Sequence, residues 1–224
     1  MNIVLITSVI NTPNLPLSYS KIRSVYNSNE RYDQTKKTIL SVKNKIPNNK
    51  IFIIECSILT EEQENYLKEE SDYFLNLYTN HYLCKQIFGL SKSLGEGTMT
   101  NEALKFLINN KIKFNNLFKI SGRYWLSEKF KYNNFNNNSI IVKKINNNID
   151  NIFTALYKIP YKEINNLHIF LQQNIDKMEK CIGYEVLFSS FIENICTNTN
   201  TNINFINSIG LQGNVTVCGT FYDG

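Results

Sequence analysis

The sequence predicts an α/β fold, with one domain built on a mostly parallel central sheet flanked by helices. Short apolar, β-branched runs at 3–6, 51–54 and 117–120 read as strands buried on both faces. Longer stretches of helical periodicity separate them, and alternating strand and helix implies parallel pairing through right-handed crossovers. At 224 residues the chain can bury a substantial core while remaining one unit.

The elements follow in order. The first strand, 3–6, ends at Thr7-Ser8 and opens into a polar loop containing Thr12-Pro13-Asn14-Leu15-Pro16, with Arg23 and Arg31 downstream. Ile39 and Val42 give 32–45 the spacing of an amphipathic helix, which Pro47-Asn48-Asn49 then breaks. The second strand, 51–54, runs into Glu55-Cys56-Ser57. Thr60 with Gln63 forms a capping box that opens an acidic helix to about Glu70. A weaker strand is expected at 74–77. Residues 92–110 are read as a Gly95-Glu96-Gly97 turn leading into a helix that carries Leu104, Leu107 and Ile108. After the strand at 117–120, the segments 139–142 and 151–157 read as further strands, 163–180 as one helix and 184–195 as another. The glycine-bearing segment 210–219 reads as a late strand or hairpin, its glycines either letting the backbone approach a ligand or making turns.

Composition narrows the chemistry. The net charge is +5 and the pI about 8.8, with no run of like charges, which falls short of a nucleic-acid footprint. Five scattered cysteines without a CxxC pair point to reduced thiols in a cytoplasmic, soluble setting. The apolar start is interrupted at Thr7 and Ser8 and reads as a strand, not a signal peptide. No apolar run approaches the roughly 20 residues that span a bilayer. The two histidines, His81 and His168, have no partners at metal-ligand spacing. Asparagine-rich patches at 133–138, 146–151 and 198–204 read as loops, and the sequons at Asn137 and Asn214 as chance matches.

The stretch Leu117-Phe118-Lys119-Ile120-Ser121-Gly122-Arg123-Tyr124-Trp125-Leu126 carries the most information. A buried strand stops at a small-residue turn, and a cation follows. Ligands of open α/β sheets bind beyond the carboxyl ends of the strands, so Ser121, Gly122 and Arg123 are expected to face one. The arginine fork matches phosphate oxygens. Its plainer alternative is an arginine paired with a surface carboxylate.

The ordered set of these segments resembles a GT-A glycosyltransferase over the first 126 residues. Strand one ending at Thr7-Ser8 resembles that family's opening strand, and Gln34 to Val42 its first helix. Ile53-Ile54-Glu55-Cys56-Ser57 resembles the second strand, with its acidic residue and serine. Lys92 to Gly97, followed by Asn101, resembles the glycine-bearing turn and helix that close over the donor. Phe118 to Arg123 stands where the Asp-x-Asp strand would, and narrows the likeness to small viral or bacterial glycosyltransferase-like proteins with SGRY there. The resemblance implies a nucleoside-diphosphate sugar donor, UDP-linked by preference, and a glycan acceptor. It divides the domain into a nucleotide-sugar half (1–126) and an acceptor half (127–224).

Donor contacts implied by the resemblance are Thr7, Ser8, Val9, Glu55 and Ser57 for base and ribose. Lys92, Gly95, Ser121, Gly122 and Arg123 lie toward the phosphates, and Arg23 and Arg31 toward the nucleotide or the phosphates. Glu55 as a plain strand-end acid, and Arg23 and Arg31 as solvated charges, remain the alternatives. Ser121 and Arg123 occupy the positions of metal-binding carboxylates, and neither ligates a hard cation in that way. Arg123 is therefore expected to take over part of the metal's work, helped by Lys92 and Lys119, although a strand lysine commonly points to solvent. Metal dependence stays open, with Mn²⁺ or Mg²⁺ held if carboxylates such as Asp72 or Asp223 converge. Glu185, after a glycine and before an apolar helix face, is the candidate base of an inverting transfer; its alternative is an acid favoured by the helix dipole. Tyr124 and Trp125 are candidates for packing on sugar CH groups, against a core role. A catalytically inactive nucleotide-binding domain and a nucleotidyltransferase are the other readings. The second lacks the lysine-bearing, glycine-rich loop it needs after strand one.

Overall fold

Strand β1 (Asn2–Ser8) lies at the centre of a computed structural model that describes residues 1–224, and its side chains are buried throughout. The chain leaves it through a long loop into α1 (Ser28–Lys45). It then builds β2 (Asn49–Glu55), α2 (Glu61–Glu69) and β3 (Tyr73–Asn76) outward on one side. After α3 (His81–Phe88) and α4 (Lys92–Asn109) it returns to the other side of β1 as β4 (Asn116–Ser121). β5 (Tyr124–Leu126), β6 (Ile140–Ile145) and β7 (Asn148–Pro160) follow, then α5 (Ile164–Gln173), α6 (Ile175–Glu179), α7 (Tyr184–Asn198), β8 (Ile203–Phe205), β9 (Leu211–Asn214) and β10 (Phe221–Asp223).

Seven strands form the main sheet in the order β3-β2-β1-β4-β7-β6-β8. The first four are parallel, as the alternating elements require. β7 then runs antiparallel to β4 and to β6, while β6 and β8 are parallel. A smaller sheet, β10-β9-β5, sits beside it. Alternate side chains of the strands feed two cores. On one face Ile3, Leu5, Phe52, Ile54 and Leu117 pack with Leu104 and Leu107 of α4 and Phe188 and Phe191 of α7. On the other, Val4, Ile6, Ile51, Ile53 and Ile120 pack with Ile39 and Val42 of α1 and Leu67 of α2.

Several sequence expectations need correction. α1 begins earlier than 32, because Asn27 and Glu30 form a full capping box that holds a polar first turn. Gly95-Glu96-Gly97 is not a turn but lies within α4. A Cβ on Gly95 would stand 2.8 Å from the Ile87 carbonyl oxygen, and one on Gly97 would collide with Met178, so both glycines serve close packing. The single helix expected over 163–180 is a short 3₁₀ turn plus α5 and α6, divided at Asn174. Helix α3, capped by the Asn80 side chain, was not anticipated. The Asn-rich patch at 146–151 is the tip of the β6–β7 hairpin. Asn146 and Asn147 adopt φ of 50° and 58° there, as a primed turn demands. The patch at 198–204 runs into strand β8. All five cysteines are free thiols, and no helix is long and apolar enough to cross a membrane.

Candidate functional site

The strand order reverses between β1 and β4. The chain moves to one side of β1 through β2 and β3, then to the other side through β4. Such a switch point leaves a crevice beyond the carboxyl ends of the two strands. Thr7 and Ser121 are register partners there. A cleft of about 110 Å³ opens at this point, lined by Thr7 and Ser8 at the end of β1 and Val9 beyond it, Ser121 at the end of β4 and Arg123 beyond it, and Lys92, Gly95 and Glu96 from α4. Arg31 reaches in from α1, Arg23 and Leu17 from the β1–α1 loop, and Thr216 and Val217 from the segment after β9.

Four cations converge on this cleft, and none has a carboxylate partner within salt-bridge distance. Arg31 is 5% exposed; its Nε donates to the Val9 carbonyl at 2.6 Å, and its Nη1 is buried without a partner. Burial, and then the neighbouring Arg123, push its pKa down to about 9. Arg123 lies over the Tyr124 ring, 5.7 Å from its centroid, and its Nε is likewise buried and unpartnered. Burial lowers the Lys92 ammonium below the usual range, and Arg123 adds to that. Arg23 differs from the others. Its guanidinium donates to the carbonyls of Phe88 at 2.5 Å, Ile87 at 3.4 Å and Gly89, closing the carboxyl end of α3.

Glu96 is the one acid in the lining. It pairs with Lys119, whose side chain is fully buried inside β4 and also donates to Ser121 Oγ at 3.1 Å and the Thr154 carbonyl at 3.0 Å. Lys119 therefore neither points to solvent nor reaches the cleft. Burial raises the Glu96 carboxyl, but Lys119, Lys92 and Arg123 outweigh that and hold it below the usual range. The help expected from Lys119 toward the phosphates is therefore corrected, and Glu96 was given no role by the sequence, although a lysine between Phe118 and Ile120 in a central strand demands a buried counter-charge.

A second cavity adjoins the first and shares Lys92 and Glu96 with it. Its wall also includes Ser18, Tyr19, Ser91, Gly183, Tyr184 and Glu185. Glu185 occupies the first turn of α7. Burial, and then Glu96, raise its carboxyl above the ordinary range.

The remaining expected site residues are placed elsewhere. Glu55 is wholly buried outside the cleft lining. Its Oε1 accepts from the Ile10 amide at 3.1 Å and from Ser57 Oγ at 2.7 Å, while Ser57 Oγ accepts from the Asn11 amide at 3.2 Å. The pair shapes the exit of β1. Gly122 also stays out of the lining: its amide donates to the Thr7 carbonyl at 2.9 Å and its carbonyl accepts from Thr35. Tyr124 is buried, and Trp125 donates to Gln212 under Lys37, away from both cavities. Asp72 and Asp223 do not converge; Asp72 accepts from the Ile51 amide, and Asp223 pairs with Lys129. No three His, Cys, Asp or Glu side chains come together as metal ligands anywhere in the protein. The donor set at the switch point does not fit a hard divalent cation: Ser121 Oγ is bound by Lys119 and Arg123 is itself a cation.

Solved structures share this architecture. A nucleoside-diphosphate-sugar pyrophosphorylase from Vibrio cholerae RC9 superposes with a TM-score of 0.51 at 8% identity, over 94% of each chain. A protein described as a nucleotide-diphospho-sugar transferase, from Desulfovibrio desulfuricans G20, gives 0.51 at 9% identity over 92% of this chain and 79% of its own. The fold is GT-A-like. A glycosyltransferase involved in glycosylation of the major capsid of PBCV-1 superposes at 0.47, with 9% identity over 91% of this chain and 81% of its own. By sequence, no family profile and no curated protein matches. The GT-A-like scaffold places the cation cleft at its switch point, where Arg123 follows β4.

Proposed function

We propose that this protein is a glycosyltransferase that moves a sugar from a nucleoside-diphosphate donor, UDP-linked by preference, to a glycan acceptor. One observation carries the reading. Arg31, Arg123 and Lys92 converge without carboxylate partners at the switch point of a GT-A-like sheet, two of them with buried N–H groups left unbonded. A diphosphate supplies the missing acceptors and the missing negative charge together.

In this mechanism the acceptor hydroxyl lies in the second cavity, beside Glu185. Its oxygen attacks the anomeric carbon as the bond from that carbon to the diphosphate breaks, and its proton passes to the Glu185 carboxylate. The electron pair of the broken bond stays on the diphosphate. Arg123, with Arg31 and Lys92, stabilises the charge that develops there, the role a metal plays when the Asp-x-Asp carboxylates are present. Displacement assisted by such a base inverts the anomeric configuration. The first half of the chain supplies nearly all of the donor cleft, and 181–185 supply much of the acceptor wall.

Thermal shift with UDP, GDP, CMP and their sugar derivatives, each with Mn²⁺ and with EDTA, tests this. A ligand at 100 times its dissociation constant adds about 2.7 kcal/mol of stability. The expected result is a shift with one nucleoside diphosphate that survives EDTA, followed by release of that nucleoside diphosphate on adding acceptor glycans. A shift only with Mn²⁺ would return the phosphates to a metal. Release of pyrophosphate from a nucleoside triphosphate and a sugar phosphate would favour instead the chemistry named for the Vibrio protein.

A further inference from the structure

During transfer the sugar ring has the departing diphosphate on one side of its anomeric carbon and the acceptor oxygen on the other. It must therefore bridge the cation cleft and the cavity of Glu185. Only Lys92 and Glu96 line both. Lys92 bears the charge that suits phosphate; Glu96 is left as the acid on the seam. Its partner Lys119 has its three N–H donors committed to Glu96, Ser121 Oγ and the Thr154 carbonyl, so it cannot turn toward a ligand. The Glu96 side chain keeps 16% of its surface exposed while the Lys119 side chain keeps none. What this pair presents to the cavities is thus a fixed carboxylate, which accepts strong hydrogen bonds from hydroxyl groups.

We propose that Glu96, gripped by Lys119, holds hydroxyl groups of the sugar being transferred, and that this sugar is a neutral polyhydroxylated ring and not a uronic acid. The inference rests on the reading of the cation cleft as a diphosphate site. Its physical content is a specificity device. Neutral sugars meet an acceptor already oriented and ionised, whereas a uronate carboxylate brings a second negative charge against it.

Calorimetric titration tests the proposal with UDP, UDP-glucose and UDP-glucuronate, and with GDP, GDP-mannose and GDP-mannuronate. Each is measured on the unmodified protein, on Glu96→Gln, and on the double variant Glu96→Gln/Lys119→Met. The double variant removes both charges and so avoids leaving Lys119 buried alone. The expected result is that the neutral sugar nucleotide binds at least tenfold tighter than its uronate. In both variants the sugar preference, taken relative to each variant's own affinity for the free nucleoside diphosphate, should shrink to less than threefold. A uronate that binds as tightly as the neutral sugar, or a preference that survives Glu96→Gln, would overturn the assignment. Binding of the free nucleoside diphosphate in that case leaves the cleft reading standing. If neither UDP nor GDP binds the unmodified protein, the cleft reading fails and the Glu96 assignment falls with it.

Discussion

The Nε of Arg31 donates to the main-chain carbonyl of Val9 at 2.6 Å, fixing a buried guanidinium against the end of the first strand. This bond orients the fork and leaves Nη1 without a partner. A buried cation with an idle donor is costly unless something anionic completes it. Replacing Arg31 by Lys keeps the charge but loses the fork. Nucleoside diphosphate affinity measured by calorimetry should fall at least tenfold, about 1.4 kcal/mol.

In the proposed mechanism Arg123 faces the charge that develops on the leaving group. Arg123→Ala should lower kcat by about 10²- to 10³-fold, the effect typical of losing one charge-stabilising donor. Single-turnover measurement at saturating donor separates this from weaker binding. A rate unchanged by the substitution would remove Arg123 from the chemistry.

Glu185 must be ionised to accept a proton. Burial, and then Glu96, raise its pKa, so the ionised fraction declines at a higher pH than for an ordinary carboxylate. Activity should therefore fall on acidification along a limb whose midpoint lies above the usual glutamate value, while donor affinity stays nearly level. Glu185→Gln should abolish that limb and cost about 10²- to 10⁴-fold in kcat. A pH–rate profile of both proteins checks this.

Arg23 joins the β1–α1 loop to the carboxyl end of α3 through three successive carbonyls, Ile87, Phe88 and Gly89. Arg23→Met removes donors that those groups share. A destabilisation of about 1–3 kcal/mol is expected, visible as a lower Tm even without ligand. Loss of ligand-induced stabilisation alone, with an unchanged Tm, would mean that Arg23 serves the phosphates and not the helix.

Gly95→Ala tests the packing of α4 against α3. The added carbon would stand 2.8 Å from a backbone oxygen that cannot swing aside. Overpacking of this kind costs about 1–3 kcal/mol. For this chain length that corresponds to a Tm drop of several degrees by calorimetry.

How far the sequence exposes this molecule depends on the range of the interactions involved. β1 and β2 were legible because strands covered on both faces are written as unbroken apolar runs, and β4 because Lys119 alone interrupts its run. The Thr60 capping box marked α2 for the same local reason. The Gly95 and Gly97 positions misled, since glycine marks turns and close helix contacts alike, and only the placement of Ile87 and Met178 decides between them. α5 and α6 looked like one helix because Asn174, which separates them, is a weak breaker. In the site, Arg31 in α1 after β1, Lys92 at the start of α4 and Arg123 just after β4 have sequence positions that bring them to the end of the parallel strands. A strand-end acid such as Glu55 can turn into the cleft or into the wall behind it, and its bonds to Ile10 and Ser57 turn it into the wall. Thr216 and Val217 lie in the segment 210–219, whose glycines suit a backbone close to a ligand or plain turns alike, and only long-range pairing brings the two residues to the cleft.

The small sheet gives the order of assembly a functional meaning. The amide of Asn214 donates to the Arg123 carbonyl at 3.3 Å, and β9 pairs with β5 directly after that arginine. Gly213 leaves room for the Tyr124 ring over which Arg123 lies. A nascent chain synthesised only as far as residue 205 already carries all seven strands of the main sheet and the helices on both its faces. It lacks the strand that props up its key arginine. The support for Arg123 thus comes last in the chain, after every strand of the main sheet has been made.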